Sequence, residues 1–69
     1  MTVAEMGQLI VSRRELLRLR QEDLSEMSGI AIKTIHLIEK GSGNPSIATI
    51  EKIGDILGLE LILQIRKMF

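Results

Sequence analysis

Apolar residues recur at helical spacing over most of this chain. Within residues 3–19, Met6, Ile10 and Leu17 fall on one stripe with Arg14 between the last two, and the pattern predicts a first helix. A second, shorter helix is predicted over residues 21–28, where Leu24 and Ser25 open the buried side. Ser25 is small enough to let another helix cross close by. Gly29 stands where that helix must stop, because glycine accepts the positive φ of a helix C-terminus without steric cost. Ile30, Ile35 and Ile38 then form the inward stripe of a third helix over residues 32–40, which leaves Ile32, Lys33, His36 and Leu37 outside the core. Residues 41–45, Gly-Ser-Gly-Asn-Pro, are the one clear loop. Ser46 reads as the N-cap of a fourth helix over residues 47–57, with Ile50, Ile53 and Leu57 facing inward and Gly58 to end it.

After Gly58 the period changes. Residues 59–66 alternate apolar and polar, broken only by Ile62, and that alternation predicts a strand. A lone strand cannot satisfy its own backbone groups, and nothing else in the chain reads as a strand. Its simplest partner is the same segment of a second copy, with Leu59, Leu61, Leu63 and Ile65 as the dimer interface covering the helices. The expected fold class is therefore all-α, four helices, with a single C-terminal β-strand pairing across a homodimer.

Composition narrows the classes of function. Sixty-nine residues read as one domain, 1–69, near the lower limit for a self-sufficient core. With no cysteine, disulfides and thiolate metal sites are excluded, and one histidine leaves little for zinc. No cofactor and no metal is expected. No apolar run approaches the roughly 18 residues that span a bilayer, and the N-terminus does not read as a secretory signal. A cytoplasmic protein is the expectation.

No Ser, Cys or paired carboxylate stands at a spacing that would make His36 a catalytic base. The Gly41 and Gly43 pair is a loop that follows no strand, so it is not a nucleotide cradle. A non-enzyme is expected. With Phe69 the only aromatic, the chain lacks the stacking platforms of a single-strand or RNA binder. Net charge is zero, and in the first forty residues Arg13, Arg14, Arg18, Arg20, Lys33 and Lys40 are matched by Glu5, Glu15, Glu22, Asp23, Glu26 and Glu39. Any attraction to nucleic acid must come from placement of charge, not from its total.

The combined landmarks do carry a family likeness. From Gly7 to Gly58, about three-quarters of the sequence, the chain resembles the Cro/repressor-type (XRE) helix-turn-helix family. The likeness rests on Gly7, Ile10, Arg14, Leu19, Gln21, Leu24, Gly29, Ile30, Thr34, Ile35, Ile38, Glu39, Gly41, Asn44, Pro45, Ile50, Ile53, Leu57 and Gly58. Two positions depart from it. Arg20 stands where the family usually caps the second helix with Ser or Thr, and Ala31 where a small polar residue is usual. Each missing cap typically costs about 1 kcal/mol. The C-terminal strand is a further departure, since many members place a fifth helix there.

The resemblance implies a double-stranded DNA binder whose third helix enters the major groove. Ala31, Ile32, Lys33, Thr34, His36 and Leu37 would then lie at or near base edges. Lys33 can donate to guanine, and Ile32 and Leu37 can contact thymine methyls. Gln21 resembles the family's phosphate-contacting glutamine, with Lys40, Ser42 and Asn44 as a second backbone clamp. Glu22 and Asp23 suit a helix N-terminus but weaken its attraction for phosphate. Arg14 and Glu39 fall where the family commonly has a structural ion pair joining the first and third helices. A repressor of this type that ends in one dimerising strand looks like the HipB-type antitoxins. That likeness implies autoregulation of a toxin–antitoxin operon and a HipA-like kinase toxin as partner. A phage or restriction-modification controller would share the same parts. The rival class is a protein-interaction module of the same fold that binds a toxin or other partner without specific DNA, consistent with the neutral charge and the apolar exposed face.

Overall fold

The computed structural model describes residues 1–67. Four helices follow one another: α1 (Val3–Leu16), α2 (Gln21–Ser28), α3 (Ile32–Glu39) and α4 (Ile47–Leu57). Their inward stripes meet in one cluster of buried Ile10, Leu24, Ile35, Ile38, Ile50, Ile53 and Leu57, flanked by the partly buried Met6, Leu19, Ile30, Ile56 and Leu59. Full burial of each such side chain is worth roughly 1.5–3 kcal/mol. α3 packs against α1 and α2, and α4 packs against α2 and α1. Gly7 lets α1 come this close to α3: a Cβ there would overlap the Ile38 carbonyl oxygen and stand 3.0 Å from that of Glu39.

Each helix start has its own solution. Thr2 and Glu5 form a reciprocal capping box on α1, with Thr2 Oγ1 accepting from the Glu5 amide at 3.1 Å and Glu5 Oε1 accepting from the Thr2 amide at 2.8 Å. At α2, Arg20 has no side-chain acceptor to offer, but Asp23 Oδ2 accepts from the Arg20 amide at 2.8 Å. Half of a capping box therefore forms although the N-cap side chain itself caps nothing. Ala31 leaves α3 without a side-chain cap. Ser46 caps α4 through a bond from the Thr49 amide at 3.1 Å.

Two helix ends differ from expectation. α1 stops at Leu16, not at residue 19. Arg18 enters the left-handed region at φ 58, and the amide of Leu19 reaches back to the Arg14 carbonyl at 3.0 Å. This closure is the kind usually built on glycine, and no glycine stands there to signal it. Leu17 is consequently exposed, and Leu19 turns inward in its place. α3 ends one residue early, with Lys40 as its C-cap.

The larger correction concerns residues 59–66. The expected strand does not form in the single chain: among the described residues there is no strand, and residues 59–67 have no regular structure. The physical reason is the one that made it need a partner, since no other segment offers a backbone ladder. Leu59 packs on the core, with its amide donating to the Gly54 carbonyl at 2.9 Å. Leu61 is half exposed, while Leu63 and Ile65 are fully exposed at 102% and 99%. Within one chain, Leu63 and Ile65 therefore stand clear of the helices. The radius of gyration, 12.4 Å, exceeds the roughly 11 Å of a compact chain this long, in keeping with a segment that stands off the helices.

Candidate nucleic-acid interface

The arrangement of α3 is set from behind. Ile35 and Ile38 are fully buried or nearly so, anchoring one face, and the Glu39 carboxylate fixes the C-terminal end. Arg14 meets that carboxylate with both arms of its fork, Nε to Oε2 at 2.7 Å and Nη2 to Oε1 at 2.9 Å, and Nη1 donates to the Leu19 carbonyl at 2.8 Å. The side chains are only 13% and 6% exposed. The bond with Glu39 is the main reason the Arg14 guanidinium holds its proton even more firmly than usual. The expected pair between the first and third helices is thus present, bidentate and part-buried.

Gln21 adds a third member. Its Nε2 donates to Glu39 Oε1 at 2.9 Å, so the first residue of α2 is tied to the last residue of α3. Sequence reasoning missed this bond. The two residues stand 18 apart in sequence, and only the way α2 and α3 meet brings Gln21 to the carboxylate that Arg14 already holds. The turn between α2 and α3 is equally determined. Gly29 has φ 76, Ser25 Oγ donates to the Ile30 carbonyl at 2.6 Å, and Ser28 Oγ accepts from the Ile30 amide at 3.2 Å.

The front of α3 carries the residues singled out from the sequence. Lys33 and His36 are exposed, and Ile32 and Leu37 are 46% and 38% exposed. Thr34 is half-buried and faces sideways into a shallow recess shared with Leu37, Ser42, Asn44 and Pro45. Ala31 is exposed at the helix start. An α-helix with its side chains is about 10–12 Å across, and a major groove about 12 Å wide admits it.

The loop after α3 is folded back on the helix. The Gly41 amide donates to the Ile38 carbonyl and the Ser42 amide to the Leu37 carbonyl, both at 2.9 Å. Lys40, Ser42 and Asn44 are exposed at this end, and Gln21 is half-buried at the start of α2. At that same start, Arg20 and Asp23 pair at 3.3 Å, so Asp23 draws one cation away from outside ligands. Among the described residues no cluster of His, Asp or Glu is arranged to hold a metal ion. No helix among them is long and apolar enough to cross a membrane.

This geometry agrees with what known proteins show. Residues 10–63 match the family described as Helix-turn-helix. The chain is also 40% identical over 57 residues to an "Uncharacterized HTH-type transcriptional regulator" of Methanothermobacter thermautotrophicus, a match covering 83% of each chain. The match spans α2, its glycine turn and α3, and the chain belongs to the Cro/repressor-type (XRE) helix-turn-helix family.

Proposed function

We propose that this chain is a transcriptional repressor that binds double-stranded DNA as a homodimer, acting as a single domain over residues 1–69. The observation that carries the reading is the split character of α3: Ile35, Ile38 and the Glu39 carboxylate lock it from behind, while Ile32, Lys33, His36 and Leu37 stand free in front. In the groove, Lys33 and His36 read base edges by hydrogen bonds, and Ile32 and Leu37 read thymine methyls. Gln21, Lys40, Ser42 and Asn44 contact phosphates on either side and set the register. Ala31 and Thr34 stay close to the duplex at the helix start. The unpaired first-turn amides of α3, which no side chain caps, add a weak positive pole.

Dimerisation through residues 59–66, paired antiparallel with their twin, would place two reading helices about one DNA turn apart, near 34 Å, on a palindromic operator. Occupying a promoter then excludes polymerase. The terminal segment also supports a finer reading, a HipB-like antitoxin that represses its own operon and holds a HipA-like toxin. The relative from Methanothermobacter thermautotrophicus, named as a transcriptional regulator, supports the broader form.

One observation favours a second reading. Net charge is zero, and the free face of α3 includes two branched apolar residues, which suits a module that binds a protein and no specific DNA. Electrophoretic shift with the DNA upstream of the chain's own coding sequence separates the two. A retarded band at low salt that survives competitor DNA is the expected result. No shift of any duplex at low salt would overturn the DNA reading and leave the protein-interaction module.

A further inference from the structure

Between α1, α4 and the start of the terminal segment lies an apolar groove of about 360 Å³. Met6, Leu9, Ile10, Ile50 and Ile53 line it. Its rim is acidic: Glu51 and Asp55, one helical turn apart on α4, and Glu60 beyond the helix end. All three are exposed, and among the described residues none has an ion-pair partner. The segment that leaves this groove has the complementary character. Ile62, Leu63 and Ile65 are 64%, 102% and 99% exposed, and Arg66 and Lys67 follow directly. One chain therefore carries an apolar groove with an acidic rim and, elsewhere, an apolar segment that ends in two cations.

We propose that the groove of each chain receives residues 62–67 of a second copy in a reciprocal exchange, with Arg66 and Lys67 against Glu51 and Asp55. The proposal rests on the dimeric reading above and specifies its contact. Two features favour exchange over folding back. The Leu59 amide bonds to the Gly54 carbonyl, and Leu59, Glu60 and Leu61 already occupy one wall of their own groove. The following side chains are directed away from it, as their exposure requires. Six extended residues reach roughly 20 Å, enough to cross to a neighbouring copy. Exchange about a two-fold axis is closed, so both grooves are filled and no free end remains to propagate fibres. Two crossing segments also run antiparallel side by side, which supplies the backbone partner that neither has alone.

Two experiments on the full chain test this. The first swaps charge and follows association by sedimentation equilibrium. Glu51→Lys with Asp55→Lys, and separately Arg66→Glu with Lys67→Glu, should each raise the dimer dissociation constant by about tenfold or more. The chain carrying all four changes should recover dimerisation. All four positions are exposed, so helical content should stay constant by circular dichroism. The second uses the absence of native cysteine. A mixture of a Leu9→Cys chain and an Ile65→Cys chain should oxidise to a mixed disulfide dimer. Unchanged association in both charge-reversed pairs overturns the proposal, as does a missing mixed disulfide. So does a wild-type chain that stays monomeric at every concentration, which would leave the groove to another partner. Failure here is distinct from failure of the DNA reading, because a monomer that still shifts a half-site duplex refutes only the exchange, whereas an exchanged dimer that shifts no DNA refutes only the DNA reading.

Discussion

Gln21 donates from Nε2 to Glu39 Oε1 at 2.9 Å, and it shares that oxygen with Arg14 Nη2. One carboxylate therefore joins three helices: α1 through Arg14, α2 through Gln21, and α3 on which it sits. Every acceptor site used here is part-buried, and no buried side-chain polar atom among the described residues lacks a partner. Such a network fixes the angle at which α3 stands out from the core, and it holds the glutamine proposed to meet phosphate.

Removing one member should thus cost more than removing two. Arg14→Met and Glu39→Gln are each expected to destabilise by up to about 3–5 kcal/mol, since the remaining partner keeps its desolvation without compensation. The double variant should regain part of that loss. Denaturant melts of the four proteins measure the coupling, and strictly additive losses would show that the two side chains contribute independently.

A second prediction addresses the contact between α1 and α3. At Gly7 the obstacle to a side chain is backbone, the Ile38 and Glu39 carbonyls, and backbone in a helix cannot step aside. Gly7→Ala should destabilise by about 1–3 kcal/mol, or several degrees in Tm for each kcal/mol in a domain this small. The gain in helix propensity from glycine to alanine, about 1 kcal/mol, works in the opposite direction. A Tm equal to or above that of the parent chain would mean that α1 can shift.

What could be read in the sequence, and what could not, follows from how each feature is encoded. The isoleucines at 35, 38, 50 and 53 are legible because burial repeats at the period of a helix, and each lies in the core. The Arg14–Glu39 pair was expected from the family pattern, whereas the Gln21 bond depends on how α2 and α3 meet in space and has no local signature. The end of α1 was missed because Arg18 takes a left-handed conformation without the glycine that would announce it. Asp23 as a cap is less legible because its carboxylate reaches back to the Arg20 amide while the N-cap side chain, the usual signal, accepts nothing. The alternation in residues 59–66 is real, but in the single chain it meets no backbone partner and no strand forms there.

Acid should weaken the fold through its helix caps. Glu5 lies below the ordinary carboxylate range, chiefly because the Thr2 amide bonds to it, with the Thr2 hydroxyl and the N-terminal charge adding to the effect. Asp23 is lowered first by the Arg20 amide and then by the Arg20 side chain. A folded pKa below the unfolded one stabilises fully above the unfolded value, here 4.5 for Glu5 and 3.8 for Asp23, and the gain is lost as pH falls through the folded value. Tm should be flat from neutral pH down to about 5 and then fall. Asp23→Asn should lower Tm at neutral pH and shrink the acid-side slope. Glu5 is exposed and Asp23 partly so, and added salt should reduce the ion-pair part of the effect. A Tm profile identical in parent and Asn variant would remove Asp23 from the cap.

The final prediction separates reading from clamping. Lys33 projects from the first turn of α3, whereas Lys40 sits at its C-cap beside the loop that folds back through Gly41 and Ser42. In the proposed complex the first faces base edges and the second faces a phosphate. Lys33→Ala should therefore cost about 1–3 kcal/mol on the preferred operator and relax the preference at one base pair. Lys40→Ala should weaken every sequence alike and reduce the slope of log affinity against log salt by about one. Quantitative shift titrations on the operator, a single-base variant and an unrelated duplex, each at several salt concentrations, give both quantities. With zero net charge, the chain has little non-specific attraction to mask the difference, so the two substitutions should part clearly. Equal, sequence-blind losses from both would move Lys33 out of the readout and leave recognition to His36 and the apolar pair, Ile32 and Leu37.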